Sequence, residues 1–135
     1  MIKAIIADTI PLYALVDSSD QYYGKARSEL LKIQQLKIQV IIPYPIALEC
    51  YSLVLYRLGN QNAHRFAQQI KDSAQLIQPT NEDYHLAWQK IKQYSDQKIT
   101  LFDAVTATIS QRLNYPVWTY DYHFDLMSIP IWRDS

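Results

Sequence analysis

One cysteine, Cys50, occurs among 135 residues. That count excludes an internal disulfide and a cysteine-rich zinc site, and it makes a reducing, cytoplasmic setting the expectation. Glycine is almost as scarce, with Gly24 and Gly59 alone. Without a glycine-rich loop to cradle phosphate, dinucleotide-binding and Walker-type readings fall away. No apolar run approaches the roughly 20 residues of a membrane span, so no membrane association is expected. The opening run, Ile2 to Ala7, is too short for a signal-peptide core and is closed by Asp8 where a cleavage site would need small residues. An excess of one charge is also lacking, with 13 basic against 13 acidic residues. The overall balance therefore advertises neither nucleic acid nor an anionic surface, and any charged partner needs locally sorted charge.

What remains is 49% hydrophobic and 19% charged, a mixture that excludes a disordered tail and fits one globular domain over residues 1–135. Short apolar runs alternate with amphipathic stretches. The runs are Ile2 to Ala7, Val40 to Ile42, Leu76-Ile77, Val117-Trp118 and Ile129 to Trp132, each of strand length. Their lack of polar alternation suits strands covered on both faces. Between them, Tyr23, Ala26, Leu30 and Ile33 share one helical face, as do Ala47, Cys50, Val54 and Leu58 after Pro45. Further helices are predicted over Gln61 to Ser73, from Thr80, whose spacing to Asp83 matches a capping box, and over Leu101 to Leu113. On the last, Phe102, Val105, Ile109 and Leu113 are expected to face inward. Alternating strands and helices argue for an α/β domain with a mostly parallel sheet. Ligands in such sheets bind beyond the carboxyl ends of the strands.

Four acids fall where that rule directs attention. Asp8 follows the first strand; Glu49 lies among apolar neighbours early in a helix; Asp103 opens the Leu101 helix; Asp121 follows Val117 to Thr119. Each has a bland reading. Asp8 suits a helix N-cap, Asp103 the third residue of a Thr100 cap, and Asp121 a turn. Glu49 is the least comfortable, because an acid among apolar side chains needs a partner such as a metal or an arginine. Clustered carboxylates repel one another unless a hard divalent cation joins them, and such a cation prefers oxygen ligands.

The order and context of the four resemble a PIN domain, most of all the small VapC-type toxins of bacterial toxin–antitoxin pairs. The motifs that carry the resemblance are Asp8-Thr9 after the first strand, Glu49 mid-chain, Thr100-Leu101-Phe102-Asp103-Ala104, and Thr119-Tyr120-Asp121-Tyr122-His123-Phe124. They span essentially the whole chain. The resemblance implies a three-layer α/β/α sandwich around a mostly parallel sheet, and a ribonuclease dependent on Mg²⁺ or Mn²⁺. It makes Asp8 and Asp103 the foremost metal ligands, with Glu49 and Asp121 completing a catalytic cluster directly or through water. Thr9, Thr100 and Thr119 would orient carboxylates by hydrogen bonds, with Asp96 at the periphery. Asp125 competes with Asp121 but lacks the Thr-x-Asp context.

The implied partners are RNA, a cognate antitoxin and a second copy of the chain. Lys25, Arg27, Lys32, Arg57, Arg65 and Lys98 are candidates for phosphate contact, and Tyr51, Tyr56 and Tyr122 for stacking on unpaired bases. Where many relatives have a basic residue after the last acid, this chain has Tyr122. His123 beside Phe124 reads either as a packing residue or as a donor to phosphate. Rival readings are an idle PIN-like binding module, a housekeeping RNA-processing nuclease, and a phosphoryl-transfer domain of receiver or phosphatase type. The phosphatase pattern Asp-x-Asp is not met by Asp8-Thr9-Ile10. With four acids committed to metal, 13 basic residues face nine remaining acids, which lets phosphate approach.

Overall fold

The computed structural model describes residues 1–133; residues 134 and 135, included in the expected single domain, lie outside the described residues. Four strands, β1 (Ala4–Ala7), β2 (Gln39–Pro43), β3 (Gln75–Ile77) and β4 (Val117–Trp118), form one sheet in the order β3-β2-β1-β4. Every pairing is parallel, with Ile5 opposite Val40, Ile6 opposite Val117, and Ile42 opposite Leu76.

Successive strand side chains point to opposite faces, and each face has its own core. Ile5, Ala7 and Ile42 pack with α1 (Thr9–Ala14), α2 (Tyr23–Gln35), α3 (Tyr44–Leu58) and α4 (Asn60–Ser73). Ala4, Ile6 and Ile41 pack with α5 (Asn81–Gln93), α6 (Leu101–Leu113) and α7 (His123–Leu126). The result is a three-layer α/β/α sandwich, and β1 is buried along its whole length.

Local chemistry accounts for most boundaries. Pro45 sits in the first turn of α3, where its missing N–H has no partner to lose. Gly59, at φ 89°, takes the chain from α3 into α4 through backbone that other residues resist. Thr80 and Thr100 each form a complete capping box, with Asp83 and Asp103 respectively.

Three features differ from the sequence expectations. Ile129 to Trp132 does not form a strand but a single bridge between Ile131 and Val117. Pro130 has no N–H to extend a ladder, so the pairing is confined to bonds from Val117 N to Pro130 O and from Trp132 N to Val117 O. The short helix α1 was not predicted; it tolerates Pro11, which lies in its first turn, where no intrahelical N–H bond is lost. Phe102 is not inward-facing but 36% exposed. It lies in the first turn of α6 and walls a cleft with Leu48, Glu49 and Tyr84.

Candidate metal centre

The carboxyl ends of β1 and β4 and the first turn of α6 converge, and each brings an acid. Asp8, immediately after β1, is 3% exposed. It occupies the N-cap position of α1, but its side chain makes no capping hydrogen bond. The bland reading therefore holds for its backbone and leaves its carboxylate unspent. Oδ2 instead accepts from the Thr119 hydroxyl at 2.8 Å.

That hydroxyl also accepts the Asp121 N–H at 3.0 Å, so Thr119 joins two acids. Asp121 Oδ1 in turn accepts the His123 N–H at 2.9 Å, closing a tight turn into α7. Asp103 is buried at the third position of α6. Its Oδ2 accepts the Thr100 N–H at 3.3 Å, and its own N–H donates to the Thr100 hydroxyl at 3.1 Å. The capping reading of Asp103 is thus correct, and it leaves the second carboxylate oxygen uncommitted to the cap. Glu49, half-buried on α3, accepts from the Thr9 hydroxyl. Its partner is a threonine next to Asp8, where the sequence suggested a metal or an arginine.

The electrostatics are those of anions short of a counter-charge. Burial, and after it the charge of Asp103, push the Asp8 carboxyl up to about 7, against the hydrogen bonds from Thr119 and the Thr9 backbone. Burial and the Asp121 charge raise Asp103 as well. Among the described residues, no lysine or arginine forms an ion pair with Asp8, Glu49, Asp103 or Asp121.

His123 was read from sequence as a packing residue or phosphate donor. The structure places it in the cluster. One ligand atom each from Asp103, Asp121 and His123 lie within 4.8 Å of one another. Asp8 and Glu49 are outside that tight group, although Asp8 is near enough to feel both aspartates. Nothing in the run Thr119-Tyr120-Asp121-Tyr122-His123 marks this histidine as a member of the cluster; the turn at Asp121 folds the ring back. The competitor Asp125 is 58% exposed and points to Arg133 at 3.3 Å. Asp96 is exposed in the turn after α5.

The surroundings are mixed. A mainly apolar cleft of about 450 Å³, lined by Pro45, Leu48, Tyr84, Leu101 and Phe102, opens beside Glu49. On another side, Lys25 sits 4.5 Å from the centre of the Tyr120 ring, next in sequence to Asp121. Tyr120 also donates to the buried Glu29, which accepts from Trp118 Nε1 at 3.1 Å. Of the other basic candidates, Arg57 lies over Tyr13 and Arg27 over Tyr23.

Comparison with known proteins returns one family and one fold. The family model described as PIN domain matches residues 5–129. No curated protein matches the chain. Among solved structures, VapC20 of Mycobacterium tuberculosis, described as a toxin that cleaves the sarcin–ricin loop, superposes with a TM-score of 0.83 at 17% identity, covering 96% of this chain and 99% of that one. VapBC2 of Rickettsia felis, bound to a DNA fragment of its promoter, gives 0.71 at 12% identity, covering 95% and 96%. A toxin–antitoxin complex from Klebsiella pneumoniae gives 0.66 at 16% identity, covering 87% of each chain.

Proposed function

This chain belongs to the PIN domain family, and we propose that it is a metal-dependent endoribonuclease acting as the toxin of a toxin–antitoxin pair. The observation that carries the reading is the convergence of Asp8, Asp103 and Asp121 at one end of the sheet, two of them buried, with no lysine or arginine paired to them. Anions held together without a lysine or arginine are costly unless a cation joins them. The donor set fits Mg²⁺ or Mn²⁺, because it is rich in carboxylate oxygen and leaves positions for water. A divalent cation there would supply a more acidic water and charge to stabilise a departing phosphodiester oxygen.

The residues of the chain divide the remaining work. Asp8 and Asp103 would hold the cation, with Asp121 and Glu49 completing the cluster directly or through water. Thr119 orients Asp8 and Asp121, Thr100 orients Asp103, and Thr9 orients Glu49. Lys25, exposed beside Tyr120, is placed to meet an RNA phosphate. The apolar cleft beside Glu49 offers a wall for an unpaired base. Structural neighbours that are toxins or toxin–antitoxin complexes support a cognate antitoxin as partner; a second copy of the chain is the other partner the family resemblance implies. Exposed Leu48 and Tyr56 on α3 are the first surface to test for either. No helix is long and apolar enough to cross a membrane.

The test is RNA cleavage by the purified chain with Mg²⁺, with Mn²⁺ and with chelator, beside Asp8→Ala and Asp103→Ala. Cleavage that survives chelation or either substitution overturns the metal-dependent mechanism. Growth arrest on expression, relieved by a small co-produced protein, is the expected sign of a toxin. Metal-dependent cleavage with no arrest would move the chain to RNA processing.

A further inference from the structure

The cluster contains one donor that a hard-cation site does not need, and its geometry bears on which cation is selected. His123 opens α7, whose next residue, Phe124, is fully buried and anchors the helix. The ring is thereby held with Nδ1 3.2 Å from Asp121 Oδ1 and 3.6 Å from Asp103 Oδ2. Neither approach has hydrogen-bond alignment: Nδ1 is buried and has no hydrogen-bond partner. Asp121 Oδ1 already accepts the backbone N–H of the same histidine. The exposed Tyr122 ring packs 4.5 Å from the imidazole and screens it further.

A buried nitrogen facing two carboxylates and bonded to neither is rare in a native protein and calls for a missing partner. The partner that satisfies all three groups at once is a cation, with the Nδ1 lone pair directed at it and the ring proton on Nε2. We propose that His123 Nδ1 is a metal ligand, making this a mixed oxygen–nitrogen site that selects Mn²⁺ over Mg²⁺. The inference rests on the nuclease reading and refines it. Mg²⁺ is bound by oxygen and parts reluctantly with its waters, so an imidazole contributes little to holding it. First-row transition cations accept imidazole readily, and Mn²⁺ among them also suits carboxylate and water.

The test is Mn²⁺ binding to the full chain followed by electron paramagnetic resonance, with Mg²⁺ as competitor. Wild type is expected to show ¹⁴N coupling from a directly bound imidazole in pulsed spectra. His123→Asn keeps a polar atom near the Nδ1 position but presents an amide. It is expected to lose the imidazole coupling and to lower the preference for Mn²⁺ over Mg²⁺ by at least about tenfold, with Mg²⁺ binding within about twofold. The wild-type spectrum tests the proposal even if the variant folds poorly. Saturable Mn²⁺ binding without imidazole coupling, or an unchanged preference in His123→Asn, overturns this inference and leaves the carboxylate site standing. Equal Mn²⁺ binding by wild type and Asp103→Ala overturns the metal-site reading itself, and this inference with it.

Discussion

The Thr119 hydroxyl donates to Asp8 Oδ2 at 2.8 Å, joining the ends of two adjacent parallel strands from positions 111 residues apart. Because the same oxygen accepts the Asp121 N–H, one small side chain fixes the spacing of two acids.

Thr119→Val preserves shape and removes both hydrogen bonds. Cleavage is expected to fall about 10–100-fold, with a stability cost of roughly 1–2 kcal/mol. Circular dichroism should show the fold retained, and denaturant titration measures the cost. Full activity in Thr119→Val would mean that the strand ends alone set the spacing.

Asp8 links activity against stability. Its folded carboxyl is raised to about 7 from 3.8, so between those values the folded state binds the proton that the unfolded chain has released. For this group, stability of the metal-free protein is fully present below about pH 4 and is lost as pH rises through 7. Asp8→Asn removes the buried charge. It is expected to abolish cleavage while stabilising the metal-free protein at pH 8 by on the order of 2 kcal/mol. Thermal melts in chelator at pH 8 and pH 5 measure the difference, which should shrink at the lower pH.

Protons and cation compete for the same oxygens. Added Mn²⁺ is therefore expected to raise the melting temperature more at pH 8 than at pH 6, because ligands must be deprotonated to bind. Calorimetric titration in buffers of different ionisation enthalpy should detect proton release on binding near pH 6. An equal melting shift at both pH values would place the cation elsewhere.

Asp83 and Arg112 tie α5 to α6 by two hydrogen bonds of 2.8 and 2.9 Å, with Asp83 1% and Arg112 43% exposed. Burial raises the Asp83 carboxyl, but Arg112 and the Thr80 N–H outweigh it and hold the group below its usual value. The stability it contributes is present above about pH 4 and is lost as pH falls through the depressed value. Asp83→Ala also breaks the α5 capping box. It is expected to cost roughly 1–3 kcal/mol at pH 7, and less at pH 3, in urea denaturation.

Two aspartates in the last motif separate by role. Asp121→Ala is expected to reduce cleavage at least about 100-fold, whereas Asp125→Ala, on the exposed Asp125–Arg133 pair, should leave it within about twofold. Initial rates at saturating Mn²⁺ distinguish them, and comparable losses would refute the assignment of Asp121.

Much of this architecture was legible from local signals. Among the described residues, apolar runs and helical faces marked all four strands and five of the seven helices, because burial on both sheet faces demands unbroken apolar runs. Capping boxes marked the starts of α5 and α6, since Thr-x-x-Asp satisfies orphaned backbone groups within one turn. The short elements were not legible. The six residues of α1 carry a proline, and the four of α7 are too few for a period to show. Nothing local marked the burial of Glu29 on α2, because Trp118 and Tyr120, which satisfy it, are about 90 residues away.

Local spacing was enough to read the longer elements, the parallel sheet and the four acids with the threonines beside them, because spacing along one strand or helix fixes which residues share a face or an end. Tertiary structure alone decided which side chains meet. It turned Asp121 toward Asp103 and left Asp125 in solvent, gave Glu49 to Thr9, and brought the His123 ring back over the carboxylates. Those choices depend on strand order, which places the ends of β1 and β4 side by side, and on one turn at Asp121. Strand order is set by packing between distant segments, and no local pattern in the chain records it; the turn itself is local, but where it carries the His123 ring depends on that order.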